Sequence, residues 1–167
     1  MLKLIPLFLA AMVLFPYISY TQVDSNFFLN YSKKLNSLNE DLGNYIKKSI
    51  DLNDVINNSD LRIAELQRKD IDRCYDSLQY MFHIYSMFAY IYNETDQYNY
   101  ENLILKTIEY SRFVINELIT DTNRNLDYAN DQSVISSAND FKSYSKEILE
   151  TLQKWENDIS KKHPKNN

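Results

Sequence analysis

The scarcity of glycine and proline is the feature that most restricts the folds open to this chain. Of 167 residues only one is glycine, Gly43, and three are proline. All three prolines lie near the termini, at Pro6, Pro16 and Pro164, so none interrupts residues 17 to 163. Sheets and alternating α/β folds depend on glycine and proline for their many turns. The chain is therefore expected to be all-α, with a few long helices and short connections.

Apolar residues recur at alternating spacings of three and four in four successive stretches, the pattern of amphipathic helices that pack at small crossing angles. The first two predicted seams are Phe28, Tyr31, Leu35, Leu38, Leu42, Tyr45, Ser49, Leu52 and Ile56, and Leu61, Ala64, Arg68, Ile71, Tyr75, Leu78, Phe82, Tyr85, Ala89 and Tyr92. The other two are Ile104, Ile108, Ser111, Ile115, Leu118 and Thr122, and Val134, Ala138, Phe141, Ser145, Ile148, Leu152, Trp155 and Ile159. These seams predict one core that buries, among others, Leu38, Leu42, Phe82, Ile115, Ile148 and Leu152.

Polar residues that favour helix starts separate the seams. They are Asn57, Asn58, Ser59, Asp60, Thr95, Asp96, Asn130 and Asp131. We predict helices over about 26–57, 60–93, 98–128 and 132–161, each roughly 45 Å long. Helices of equal length with short connections run antiparallel, so the expected architecture is an up-down-up-down four-helix bundle over residues 22–161, with a polar tail at 162–167.

The first 21 residues have the pattern of an N-terminal export signal. Lys3 supplies a positive charge, and residues 4–15 form an apolar run that is shorter than the about 20 residues needed to cross a bilayer. Ser19 and Thr21 provide small residues at the spacing that signal cleavage requires. We therefore predict cleavage after Thr21, a periplasmic or secreted protein, and no membrane span in the remainder. Retention of the segment as a membrane anchor is the alternative.

The net charge argues against nucleic-acid binding, and the cysteine content excludes an internal disulfide. The chain carries a formal charge of −5, and removing the signal with its single charge on Lys3 leaves −6. Nucleic acid is therefore not an expected partner, because a phosphate backbone attracts basic surfaces. Cys74 is the only cysteine, so no internal disulfide can form. A buried structural thiol is expected at Cys74, with a reactive or intermolecular thiol as the alternative.

The segment Leu78–Tyr92 is apolar almost all the way round the predicted second helix. Only three of its residues are polar, namely Gln79, His83 and Ser86. A helix packed on one side of a bundle needs only an apolar stripe, so the far side of this segment requires another cover. We assign binding of a protein partner or a second copy to the residues that project away from the seam: Tyr80, Met87 and Tyr90. Cover by the chain's own helices is the alternative.

His83 is the one candidate ligand-binding residue in that segment, because bundle histidines can hold haem or a metal. The chain has no Cys-x-x-Cys-His motif and no Glu-x-x-His pair, and its only other histidine is His163 in the tail. A run beginning at Asp121 has part of the spacing of a calcium loop, but Leu126 stands where that loop requires glycine. We therefore expect no metal and no cofactor, and a structural or surface role for His83.

No catalytic motif is present in the sequence. It lacks a glycine-rich phosphate loop, a Gly-x-Ser-x-Gly elbow and a recognisable pairing of cysteine with histidine. Acidic pairs such as Asp70 with Asp72 fall in helices that alternate acids and bases, which is typical of a solvated face. We expect a non-enzymatic extracytoplasmic binding protein, for example an inhibitor or immunity-type protein. The alternative is a carrier or sensor of a lipid, haem or metal held in an apolar cavity between the helices.

Overall fold

A computed structural model describes residues 5–51, 59–88 and 94–162, including the side chains of 25–51, 59–87, 96 and 98–161. This part of the chain consists of four helices and contains no strand. They are α1 (Ile5–Asp51), α2 (Ser59–Phe88), α3 (Glu94–Leu126) and α4 (Gln132–Lys162). The predicted all-α class and the number of core-forming helices are confirmed.

The predicted helix bounds agree best with the observed ones towards the C-terminus. α4 begins at the predicted residue, Gln132, and matches the predicted range to within one residue. α3 begins at Glu94, earlier than the predicted residue 98. α1 begins at Ile5 rather than at residue 26, because the apolar run assigned to the export signal continues the helix. Leucine, alanine and methionine in that run all favour helix.

The core draws on all four helices. Every residue of the third and fourth predicted seams is buried, as are five of the six residues singled out above: Leu38, Leu42, Ile115, Ile148 and Leu152. In the first seam Phe28 to Leu42 and Ser49 are buried, and Tyr45 is partly buried. Leu52, Ile56, Ala89 and Tyr92 lie outside the described residues. The alternation of three and four therefore identified the core-facing sides of α1, α3 and α4.

The seam of α2 was predicted wrongly at three positions. Arg68, Tyr75 and Phe82 are only partly buried, and the core instead receives the residue before each of them: Gln67, Cys74 and Met81. A seam whose spacing is three residues and then four satisfies the pattern as well as one whose spacing is four and then three. Only packing against the other helices decides between the two. Phe82 lies instead on the α1 side of α2, with its ring centroid 5.4 Å from that of Phe28.

Cys74 is fully buried in this corrected seam. Burial raises the pKa of its thiol to about 12, while the neighbouring Ser145 hydroxyl acts in the opposite direction. A thiolate is the reactive form of cysteine, so a thiol that does not ionise is inert. The expected burial of this thiol is confirmed.

Carboxylates fix the connection between α3 and α4. The Asp131 side chain accepts a hydrogen bond from the backbone N–H of Ser133 at 2.7 Å, which caps α4 as predicted. The Asp60 carboxylate, in the first turn of α2, accepts the backbone N–H groups of Asn130 at 2.6 Å and Asp131 at 3.1 Å. Asp60 therefore joins the start of α2 to the start of α4. The predicted caps Asn57 and Asn58 lie outside the described residues.

Polar pairs cross each contact between neighbouring helices. Between α1 and α2, Gln79 donates to Ser32 at 3.0 Å and Asn39 donates to Asp72. Between α3 and α4, Arg112 forms an ion pair with Glu156. α1 also contacts α4, so the four helices enclose their common core. Over the side chains that the structure describes, no helix has an apolar stretch long enough to cross a bilayer.

Candidate functional site

Tyr80 and Met87 lie on the exposed face of α2. Their exposed fractions are 52% and 58%. They are two helical turns apart, so their side chains share one face. Tyr90, the third residue assigned to partner binding, lies outside the described residues. Two of the three predicted binding residues are therefore open to solvent.

α3 contributes further exposed apolar side chains. Leu103 and Tyr110 are 38% and 62% exposed, and they also lie two turns apart. The buried hydroxyls of Ser77 on α2 and Ser111 on α3 are hydrogen bonded at 2.9 Å, which marks where the two helices touch. The sequence analysis missed Leu103 and Tyr110 because they are separated by charged and polar residues and form no apolar run.

The exposed residues of α2 and α3 flank the same outer side of this contact. Each helical residue advances by about 100°, so Tyr80 lies about 60° from Ser77 in the direction away from the core. Tyr110 lies about 100° from Ser111, also away from the core. We call the four residues on this side the aromatic surface: Tyr80, Met87, Leu103 and Tyr110.

Tyr100 gives a second indication that the side chains of α2 and α3 meet near this surface. Burial raises the pKa of the Tyr100 phenol, and the nearby Tyr80 phenol raises it further. Tyr80 is therefore close enough to α3 to affect a group on it. The surface combines apolar area with phenol hydroxyls.

His83 lies at the edge of α2 and is exposed. Its ring centroid is 6.0 Å from that of Phe82, and its backbone carbonyl accepts a hydrogen bond from Ser86 at 3.0 Å. Within the described residues no three histidine, cysteine, aspartate or glutamate side chains are grouped to hold a metal. His83 therefore belongs to no group of three such side chains in this part of the chain.

A cluster of aromatic residues at this end of the fold is packed inside it. The Trp155 ring lies 4.8 Å from Phe27, 5.7 Å from Phe28 and 5.0 Å from Tyr85, measured between centroids. Such tilted and edge-to-face contacts stabilise aromatic clusters. This cluster lies on the core side of α2, so it is not part of the aromatic surface.

A network of tyrosine, lysine and glutamate joins α1 to α4. The Tyr31 hydroxyl donates to Glu147 at 2.7 Å, and the Lys34 ammonium lies 3.2 Å from the same carboxylate oxygen. Lys34 also lies 4.6 Å from the ring centroids of both Tyr31 and Tyr144. The hydrogen bonds from Tyr31 and then Lys34 lower the pKa of Glu147. Each charge in this network has a partner, so the network is structural.

Asp70 is a buried carboxylate on α2, so the solvated face expected for it from the sequence was wrong. Burial and then the charge of Asp121 on α3 raise its pKa to about 6, while Arg73 acts against both. The Arg73 guanidinium forms only a long ion pair with the Asp70 carboxylate, at 3.8 Å. Asp70 is therefore a group whose protonation changes within the range of ordinary solution pH.

An open groove of about 240 Å³ lies between α1 and α4, on a different face from the aromatic surface. It is lined by Leu38, Asp41, Leu42, Tyr45, Ser133, Ser136, Ser137 and Asp140. Its lining combines two aspartates and three serines with two leucines and a tyrosine. A second open groove is lined by Ile46, Glu65, Arg68, Lys69 and Asp72. Both grooves therefore mix charged and apolar side chains.

Comparison with known proteins gives no relative from which a function could be transferred. No protein-family model, curated protein or solved structure matches this chain. Function must therefore be inferred from the aromatic surface and from the groove between α1 and α4.

Proposed function

We propose that this protein is a non-enzymatic binding protein that engages a protein partner, or a second copy of itself, through the aromatic surface. The observation that carries this proposal is the exposure of Tyr80, Met87 and Tyr110 on two adjoining helices. Tyrosine and methionine are enriched at the centres of protein interfaces, and tyrosine often supplies much of the binding energy. An inhibitor or immunity-type protein is one form that such a function takes.

The energetic case rests on the area that these side chains keep exposed. A tyrosine buries about 150 to 250 Å² when fully covered, and each Å² of apolar area contributes about 25 cal/mol. Covering the exposed halves of Tyr80 and Tyr110 would therefore contribute several kcal/mol before the cost of association. A partner that covers both tyrosines would remove this area from water.

We also propose the up-down-up-down topology for the bundle. Two pairs between α1 and α2 support it, since Ser32 meets Gln79 whereas the later residue Asn39 meets the earlier residue Asp72. Residue numbers therefore rise along α1 while they fall along α2, as they do in two antiparallel helices. The similar lengths of α2, α3 and α4 agree with it.

Export of the protein to the periplasm or the cell exterior belongs to the same proposal. It is supported by the basic residue Lys3 followed by the apolar run over residues 4–15. The core residues described begin at Phe28, beyond the proposed cleavage after Thr21, so removal of the signal leaves that core intact. Intact mass of the exported protein should therefore begin at Gln22 or close to it.

The aromatic surface can be tested with a double charge substitution. Tyr80→Glu with Tyr110→Glu places two charges at the centre of the surface, while Tyr128→Glu makes the same change at an exposed tyrosine beyond the end of α3. Light scattering after size exclusion, and capture of proteins from the native host on a tagged copy, report self-association and partner binding. The double variant should remain folded and lose the complex, whereas Tyr128→Glu should keep it.

A second candidate function, binding of a small ligand, is supported by one observation: the groove between α1 and α4. Its two carboxylates favour a cationic ligand, whereas a lipid, haem or metal was the alternative that the sequence suggested. The two functions use different faces, so each can be tested while the other is left intact.

A further inference from the structure

We propose that α3 packs against α3 of a second copy of this chain, in the antiparallel direction, about a two-fold axis that passes between residues 111 and 112. The inference rests on the proposed function, since it names the second copy as the partner of the aromatic surface. The contact uses one exposed row of side chains, which we call the α3 stripe: Leu103, Lys106, Tyr110, Phe113, Glu117 and Thr120.

The α3 stripe has the spacing of a helix–helix seam but lies on the outside of the bundle. Its residues follow one another at alternating steps of three and four, and all of them are exposed. At 100° per residue, the stripe lies about 150° round α3 from the buried seam that contains Ile108 and Ile115. Its aromatic members, Tyr110 and Phe113, are 62% and 63% exposed. α3 therefore carries two seams, and its own bundle covers only the inner one.

The order of side chains along the α3 stripe is self-complementary. In an antiparallel pair about the proposed axis, Lys106 faces Glu117 of the second copy, and Tyr110 faces Phe113 of the second copy. The first residue of the stripe likewise faces the last. Because the axis is two-fold, each of these contacts occurs twice. One surface of this chain therefore matches an identical surface turned end over end.

The charges of the stripe select the antiparallel direction. A parallel pair in register would place Lys106 against Lys106 and Glu117 against Glu117, and like charges repel. The antiparallel pair replaces both repulsions by attractions, each about 8 Å along the helix from the axis. Neither side chain forms an ion pair with another described residue. Charge complementarity therefore favours a second copy over an unrelated protein on this stripe.

The aromatic side chains lie at the centre of the proposed contact. Tyr110 and Phe113 are each about 2 Å along the helix from the two-fold axis. Large side chains near the centre supply most of the binding energy of an interface, whereas charges at its rim set its direction. Tyr110 also belongs to the aromatic surface, so the second copy covers the α3 part of that surface. The stripe is only about 26 Å long, so we expect a dimer that dissociates on dilution.

Charge reversal with reciprocal rescue tests this pairing. Sedimentation equilibrium of the purified wild type should show a reversible dimer at concentrations up to about 1 mM. Lys106→Glu and Glu117→Lys should each weaken the dimer at least about tenfold, because each change makes both attractive pairs repulsive. An equal mixture of the two variants should form a heterodimer, since both pairs between unlike copies are attractive again. Both changes in one chain should restore the wild-type dimer, which keeps the test valid if one single variant unfolds.

Lys33→Glu and Glu40→Lys provide the matched control. Both residues are exposed on α1, which does not contact α3 among the described residues. These variants should dimerise as the wild type does. A wild type that stays monomeric would overturn the pairing, as would equal weakening by the control variants. It would also be overturned if the variants at positions 106 and 117 dimerise undiminished, or if neither their mixture nor the double reversal restores the dimer.

The result also separates this inference from the proposed function. A monomeric wild type that captures a host protein through Tyr80 and Tyr110 would overturn the second copy as partner and leave the aromatic surface as a binding site. A wild-type dimer that resists the charge reversals, and equally resists Tyr80→Glu with Tyr110→Glu, would contradict both. Loss of the dimer in that double tyrosine variant, together with rescue between positions 106 and 117, supports both.

Discussion

Two methionines on α2 offer a matched comparison between the core and the aromatic surface. Met81 is completely buried, whereas Met87, less than two turns further along the helix, is 58% exposed. Met81→Ala removes side-chain atoms that the core surrounds, and such truncations cost about 2 to 5 kcal/mol. Met87→Ala removes the same atoms from a solvent-facing position, where substitutions stay within about 0.5 kcal/mol.

Urea denaturation followed by circular dichroism measures both costs. With a slope of about 2 kcal/mol per molar urea, Met81→Ala should lower the midpoint by roughly 1 to 2.5 M, and Met87→Ala by less than about 0.3 M. Similar slopes in the two variants and the wild type would show that the unfolded states are comparable. Equal midpoints for the two variants would refute the assignment of Met81 to the core and of Met87 to the free surface.

Two further predictions concern buried groups on α2. Asp70 binds a proton more tightly in the folded protein, because burial and Asp121 raise its pKa to about 6, so its contribution to stability is full below pH 4 and is lost as the pH rises through 6. The melting temperature of the wild type should therefore fall relative to that of Asp70→Asn between about pH 4 and pH 7, and parallel curves would contradict this. Cys74 is fully buried, and its pKa is raised to about 12, so it should react with a thiol reagent only after unfolding in urea. Rapid labelling of the native protein would show that the thiol is accessible.

The sequence predicted the core well where apolar and polar residues alternate cleanly. In α4 most residues between the seam positions Val134 to Ile159 are charged or polar, so the pattern indicates one buried face. In α2 both possible seams carry apolar residues, and the pattern could not decide between Met81 and Phe82. Contacts with α1 decided it, since Phe82 packs on Phe28. Local periodicity therefore identifies a buried face, but tertiary packing selects its exact register.

The candidate surfaces were predictable only in part. Tyr80 and Met87 could be found because they lie off the seam of one unusually apolar helix. Tyr110 could not, because it becomes their neighbour only when α3 packs against α2. The groove between α1 and α4 was missed for the same reason. Asp41 and Asp140 are distant in sequence and line one groove only when α1 packs against α4.

Site-specific photo-crosslinking in the native host tests the central claim most directly. A photoreactive phenylalanine derivative at position 110 lies within the aromatic surface, and the same derivative at position 128 lies at a tyrosine that is equally exposed but beyond the end of α3. Binding through the aromatic surface predicts a discrete crosslinked product of the protein with its partner, or with a second copy, from position 110 and none from position 128. Equal products from both positions, or a product from position 128 alone, would contradict it.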